Sequence, residues 1–206
     1  MDNSDNIISK RFFIAIPLSD LTNKALNPYC EHIATQHSKQ RLLEGQTDQK
    51  IRFTPESKRH MTLAFLGALN DDQIEAVRTI LHKFKHPATT LKLTTISRFP
   101  DPQSKIITAL PAPSNKLNSL HARLQQSLEQ QLTQQQFAKN SSFLKLSRPY
   151  RPHISLTRIK NLEDDLPIAI EPPIDIQVSK IVLYESQITE AGSHYTPIET
   201  TELLSS

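Results

Sequence analysis

Apolar positions along the chain switch between a period of two and one near 3.6, and the switches mark the elements. RFFIAIP, residues 11–17, is a short apolar run stopped by Pro17, which predicts a strand. Ser19 or Asp20 can cap the helix that follows, and Pro28 inside it predicts a late start or a kink. Residues 35–50 are polar and rich in Gln, Lys and Glu, and read as a helix end and a loop. IRFT (51–54) and HMTLAFL (60–66) predict two more strands, the second ended by Gly67. Asn70 caps a helix expected over 71–85, where Ile74, Val77, Ile80, Leu81 and Phe84 recur at spacings of three and four.

Residues 91–99 and 105–110 alternate as two strands around a turn at Pro100, Asp101 and Pro102. Ser114 can cap a further helix, whose stripe is Leu117, Leu120, Leu124, Leu128 and Leu132. The Gln-rich stretch 125–136 lies on that helix and on the loop after it. Strands at 152–159, 174–185 and 194–199 complete the chain, and Met1–Ser9 reads as a flexible tail. The strands cluster rather than alternate strictly with helices, which predicts an α+β fold.

A chain of 206 residues, 37% hydrophobic, can bury a core without disulfide staples. No stretch approaches the ~20 apolar residues of a membrane span. The polar, acidic start MDNSDNIISK has no leader-like apolar core, so a cytoplasmic protein is expected. Cys30 is the sole cysteine, which fits a reducing compartment; it reads as a buried helix residue rather than a nucleophile. With three glycines, tight turns must use Pro, Asn and Asp. The net charge of +3 does not demand a nucleic-acid partner, but the local distribution is suggestive. Lys58 and Arg59 precede one histidine, and Arg148, Arg151 and Arg158 surround another. Such clusters can hold phosphate, although solvated surface is the more ordinary fate of these side chains.

Two segments carry the candidate chemistry: His60-Met61-Thr62-Leu63 and His153-Ile154-Ser155-Leu156. On a strand, side chains alternate between faces. His60 and Thr62 then share one face while Met61 and Leu63 enter the core, and His153 and Ser155 do the same against Ile154 and Leu156. Two such strands facing a cleft supply two imidazoles and two hydroxyls. One neutral imidazole can take a proton from water, and a protonated one can give a proton to a departing oxygen. The hydroxyls can donate to phosphate oxygens as charge builds. One histidine-x-hydroxyl triplet alone is more often a structural feature; two copies, each completed by leucine, are less readily accidental.

Together these segments resemble the 2H phosphoesterase superfamily, and within it the RNA 2′,3′-cyclic phosphodiesterases, or 2′-5′ RNA ligase family. RFFIAIPL resembles the family's first strand, HMTLAFLG and RPYRPHISLTR its two signatures, and LYESQITEAGSHYTPI its C-terminal strands. The resemblance implies one bilobal domain over residues 10–203, with two pseudo-symmetric antiparallel-sheet lobes around a central groove and helices outside. It implies hydrolysis of a terminal 2′,3′-cyclic phosphate to a 2′-phosphomonoester with no metal or other cofactor. His60 would be the proton donor, His153 the acceptor, and Thr62 and Ser155 would bind phosphate. Ser155 stands where threonine is common and keeps the hydroxyl. Phe53 stands for an aromatic that is often tryptophan, and KIITAL lacks a tryptophan frequent there.

Tyr150, Arg151 and Arg158 are further candidates for substrate contact. Tyr150 and Arg151 precede His153 and can meet a terminal base or phosphate. Arg158 lies out of phase with His153 and needs a bulge or the strand end to reach the same face. The expected partners are RNA ends or small cyclic-phosphate nucleotides, bound by a monomer with no membrane association. Competing readings are a non-catalytic nucleotide- or RNA-binding module, and 2′-5′ RNA ligation or 2′-5′ cleavage by the same groups. A metal hydrolase built on His82 and His86 is a third, but Pro87 follows and no carboxylate is matched to the pair.

Overall fold

The computed structural model describes residues 10–45, 51–134, 149–159, 166–190 and 192–205. The expected tail at 1–9, the loop over 46–50, the side chain of Leu132, residues 135–136 and Arg148 lie outside these. Among the described residues eight strands and three α-helices run in the order β1 (Arg11–Pro17), α1 (Asp20–Leu43), β2 (His60–Gly67), α2 (Asp71–Lys83), β3 (Thr89–Phe99), β4 (Ile106–Pro111), α3 (Asn115–Gln134), β5 (Ile154–Arg158), β6 (Ile168–Val178), β7 (Lys180–Thr189) and β8 (Gly192–Glu202). The fold is α+β.

The strands form one hydrogen-bonded sheet in the order β6-β3-β4-β5-β2-β1-β7-β8, with antiparallel neighbours. It is built from two halves of the same plan. β1–α1–β2 forms the inner part of one half and β4–α3–β5 that of the other. β7 and β8 extend the first half; β3 and β6 extend the second. The halves meet between β2 and β5 at one register pair, Met61 opposite Ile154, and both side chains are fully buried.

The run expected as one strand over 174–185 is two strands in different halves. β6 pairs with β3 at one edge, β7 pairs with β1 near the other, and Ser179 alone links them. One linking residue spans at most about 7 Å. The outer edge of one half therefore comes back to the other. The sequence signal was the polar pair Ser179-Lys180, where the buried positions shift from Ile176 and Val178 to Ile181 and Leu183. Residues 51–54 contribute a single bridge, Phe53 to Thr157, rather than a strand.

Helix α1 starts at Asp20, capped by the Ser19 hydroxyl, and runs unbroken through Pro28. The late start is not seen. Its buried residues Asn23, Leu26, Cys30, Ile33 and His37 recur every three or four positions. Packing that stripe offsets the ~3 kcal/mol cost of an interior proline. Lys24, whose carbonyl loses its donor, is exposed, so water can serve that carbonyl. Helix α2 opens with a reciprocal Asn70–Gln73 capping box and ends at Lys83, two residues early. Ser114 caps α3, and Leu117, Leu120, Leu124 and Leu128 are buried as the stripe predicts.

Arg59 is not at the surface. It is 6% exposed and donates to the Thr54 carbonyl (3.2 Å) and to Asn27 Oδ1 (3.1 Å), tying α1 to the start of β2. Its guanidinium is thus engaged within the protein, although the residue also lines the cavity beside His60. Arg59→Ala is expected to lower stability by about 2–4 kcal/mol, because it strands buried acceptors. A urea unfolding midpoint unchanged from the parent would show that these bonds contribute little.

Candidate active site

The Met61–Ile154 pair sets the site. His60 and Thr62 flank Met61, and His153 and Ser155 flank Ile154, so strand alternation sends all four side chains to the face opposite that buried pair. Thr62 and His60 also keep register with Ala15 and Pro17 of β1, and Ser155 with Thr108 of β4.

The two imidazoles are held alike. His60 Nδ1 lies 2.7 Å from the Lys58 carbonyl, and His153 Nδ1 lies 2.9 Å from the Arg151 carbonyl. A carbonyl only accepts, so Nδ1 carries the proton in both rings and Nε2 is left for other chemistry. Each ring also stacks on a phenylalanine: His60 on Phe13 (4.8 Å between centroids) and His153 on Phe99 (3.9 Å). Tyr195 meets His60 edge-on at 5.4 Å. Two restraints per ring fix its plane and rotation.

Burial pushes the His60 imidazole below its ordinary value, and a charge on His153 pushes it further down; the bond to Lys58 works against both. His153 is thus close enough for its charge to be felt at the His60 ring. Cys30 is buried on α1, where burial pushes its thiol up and leaves it a poor nucleophile.

A bulge brings in Arg158. Between Thr108–Ser155 and Ile107–Thr157, β5 carries one extra residue, Leu156. The exposed Arg158 is thereby turned to the face of Ser155, and both line a cavity of about 550 Å³. Arg52, Lys58 and Arg158 contribute three cations to that lining, which contains no carboxylate among the described residues. A neighbouring cavity of about 290 Å³ is lined by Asp20, Asn23, Ser57 and His60, and Lys58 and Tyr195 line both.

Tyr150 and Arg151 are bound within the protein. Tyr150 stacks flat on His121 of α3 (3.8 Å) and donates its hydroxyl to the Thr62 carbonyl (3.3 Å). Burial pushes its phenol well above its ordinary value. Arg151 donates to the Pro100 carbonyl (2.6 Å) and lies over the Phe99 ring (4.8 Å), so it braces the ring beneath His153. Phe13, Phe99 and Tyr195 were not singled out in the sequence. Nothing local in the sequence tied Phe13 to His60 or Phe99 to His153.

His82 and His86 do not form a pair. His82 is on α2 near Glu199, while His86 lies beyond the helix, buried against the Pro87 carbonyl and Ser119. Among the described residues, no three His, Cys, Asp or Glu side chains cluster as metal ligands. No helix among them is long and apolar enough to cross a membrane.

The fold is that of the 2H phosphoesterases. The profile of the 2′-5′ RNA ligase superfamily matches residues 32–188, more than half of the chain, and the chain belongs to that superfamily. Solved structures of the same fold include Escherichia coli LigT in its apo form, 20% identical with a TM-score of 0.71, covering 95% of this chain and 98% of that one. LigT complexed with 3′-AMP gives 20% and 0.72 over the same shares. TT0787 of Thermus thermophilus is 20% identical with a TM-score of 0.71, covering 93% of this chain and 97% of that one.

Titration of the imidazoles by NMR should place His60 below the ordinary histidine value. His153→Ala should raise it, since a like charge is removed, but not to the ordinary value, because burial is the larger cause. A His60 midpoint that does not move would mean the two rings are uncoupled.

Proposed function

We propose that the protein hydrolyses a terminal RNA 2′,3′-cyclic phosphate to a 2′-phosphomonoester through paired acid and base catalysis by His60 and His153. The observation that carries this reading is the matched mounting of the two imidazoles. Each has Nδ1 pinned by a carbonyl two residues upstream, a phenylalanine beneath it, and a hydroxyl residue two positions on.

In this mechanism His153 Nε2 takes a proton from water as the water oxygen attacks phosphorus. His60 gives its proton to O3′ as the P–O3′ bond breaks. The products are a 2′-phosphomonoester and a 3′-hydroxyl, and the next turnover begins once His60 regains a proton and His153 loses one. Thr62 and Ser155 donate to the nonbridging oxygens, and Arg158 adds charge to the same phosphate. No step calls on a metal or cofactor. The substrate class is an RNA end or a small cyclic-phosphate nucleotide. The similarly folded LigT, solved with 3′-AMP and with phosphate, agrees with a nucleotide phosphate in this groove.

A depressed His60 fits the donor role only if substrate restores its proton, and an anionic phosphate against the ring does so. The sign follows. In the free enzyme His60 loses its proton below the ordinary imidazole range, so the alkaline limb of kcat/KM is expected early. In the bound enzyme the phosphate raises His60, so the alkaline limb of kcat should move to higher pH. Coincident alkaline limbs would exclude His60 as the donor.

The first experiment is hydrolysis of a short RNA ending in a 2′,3′-cyclic phosphate, with EDTA present and the 2′- and 3′-phosphate products resolved. The 2′-phosphate should form at an undiminished rate. His60→Ala and His153→Ala should each lower turnover by about 10²–10⁴-fold while RNA binding persists. Full activity in either variant, or a requirement for added metal, would overturn the mechanism.

A further inference from the structure

A cavity of about 540 Å³ lies at the start of β3, beside the first turns of α3. Thr89 opens β3 and lines this cavity. It is 8% exposed and shares a strand face with the buried Leu91 and Leu93. Its hydroxyl has no hydrogen-bond partner among the described residues. Buried hydroxyls are normally paired, so one left alone on a cavity wall points to a group from outside the chain. The segment that leads into Thr89 is fixed. The Ala88 N–H donates to the Leu204 carbonyl (2.8 Å), and the Leu204 N–H to the His86 carbonyl (2.9 Å). His86 is buried, with Nδ1 2.9 Å from the Pro87 carbonyl and Nε2 3.5 Å from the Ser119 hydroxyl of α3. The walls of the cavity are therefore set before a ligand arrives.

The other walls attract an anion. Lys116 and Arg123 lie two turns apart on α3, and both line the cavity. Among the described residues neither the Lys116 ammonium nor the Arg123 guanidinium has a hydrogen-bond or ion-pair partner. No described Asp or Glu lines the cavity. Asn115 and Lys116 open α3, so their amide N–H groups have no acceptor within the helix. The capping Ser114 hydroxyl is already taken by the Leu117 N–H (3.2 Å). A helix start of this kind, with no acidic residue in its first turn, favours negative charge. Pro87 and Ala88 add an apolar side.

We propose that this cavity is a second phosphate site, separate from the histidine groove, for the phosphate monoester of a nucleotide-sized ligand. Lys116 and Arg123 offset its negative charge. The Asn115 and Lys116 N–H groups and the Thr89 hydroxyl donate to its oxygens, and the ribose or base rests on Pro87 and Ala88. The two sites lie far apart. Thr89 and Phe99 are the two ends of β3, about 30 Å from one another along the strand, and Phe99 lies beneath His153. They also use opposite faces of the sheet. Thr89 is on the buried face, whereas His153 neighbours the buried Ile154 and so points away from that face. An RNA end held at the histidines has no straight path to Lys116, so the ligand is a separate molecule. The site stands whether or not the groove hydrolyses cyclic phosphates.

The test follows backbone amides by NMR while the protein is titrated with inorganic phosphate, with adenosine 5′-monophosphate, and with adenylyl-adenosine, whose one phosphate is a diester. Phosphate can also enter the histidine groove, so the amides of Thr89, Asn115 and Lys116 are followed apart from those of His60 and His153. The first set should shift with phosphate and with the mononucleotide, at a Kd of about 1 mM or tighter. Lys116→Gln should raise that Kd by about tenfold and Thr89→Val by about fivefold, with the response at His60 and His153 unchanged. Lys116 is exposed and the Thr89 hydroxyl is unpaired, so both variants should fold as the parent does. Hydrolysis of a cyclic phosphate should be the same in both variants as in the parent, and a fall in either would overturn the separation of the sites. No shift at the three amides, or a shift that neither substitution weakens, would overturn the site, since loose attraction to surface charge gives the latter. Equal affinity for the dinucleotide would overturn the monoester ligand in favour of a nucleic-acid backbone.

Discussion

The antiparallel pairing of Met61 with Ile154 is the contact on which the rest of the site depends. Both side chains are fully buried, and strand geometry then sends their neighbours to the opposite face. One apolar pair thereby sets the position of two histidines and two hydroxyls. Slipping the register by one residue would bury the histidines and expose the core. The chemistry is thus protected by the same free energy that packs the interior.

Only that pair joins the halves in the ladder between β2 and β5, so the strands are free to diverge beyond it. The edge of β2 past Met61 is served instead by the Tyr150 hydroxyl at the Thr62 carbonyl and by Gln125 at the Leu63 carbonyl, at 3.4 Å. The groove between the halves is therefore a consequence of strand pairing that stops early. The Ser179 link and the hydrogen bond from Thr22 of α1 to the Asp175 carbonyl of β6 hold the outer parts together. Inside the groove, paired bulges in β2 and β5 spend local regularity on function. They end strict alternation and leave Phe65 and Arg158 exposed rather than buried.

Much of this was legible from particular residues. The two motifs identified both histidines and both hydroxyls, because period two is enough to place residues i and i+2 on one face. Helix caps at Ser19, Asn70 and Ser114 were visible because capping is local chemistry. Arg158 was placed out of phase, and the bulge that corrects it depends on how β5 pairs with β4. Arg59 read as a surface cation because its acceptors on α1 are distant in sequence. The late start expected at Pro28 is not seen, since the proline penalty is local, while the packing that outweighs it is not.

The sequence by itself determined most of the elements, their buried faces and which histidines and hydroxyls share a face, since these follow from side-chain period. Tertiary structure alone decided which strands pair, where their register slips and which rings lie beneath the imidazoles. Those are contacts between residues far apart in the chain. Their energies depend on packing and burial that no local window contains.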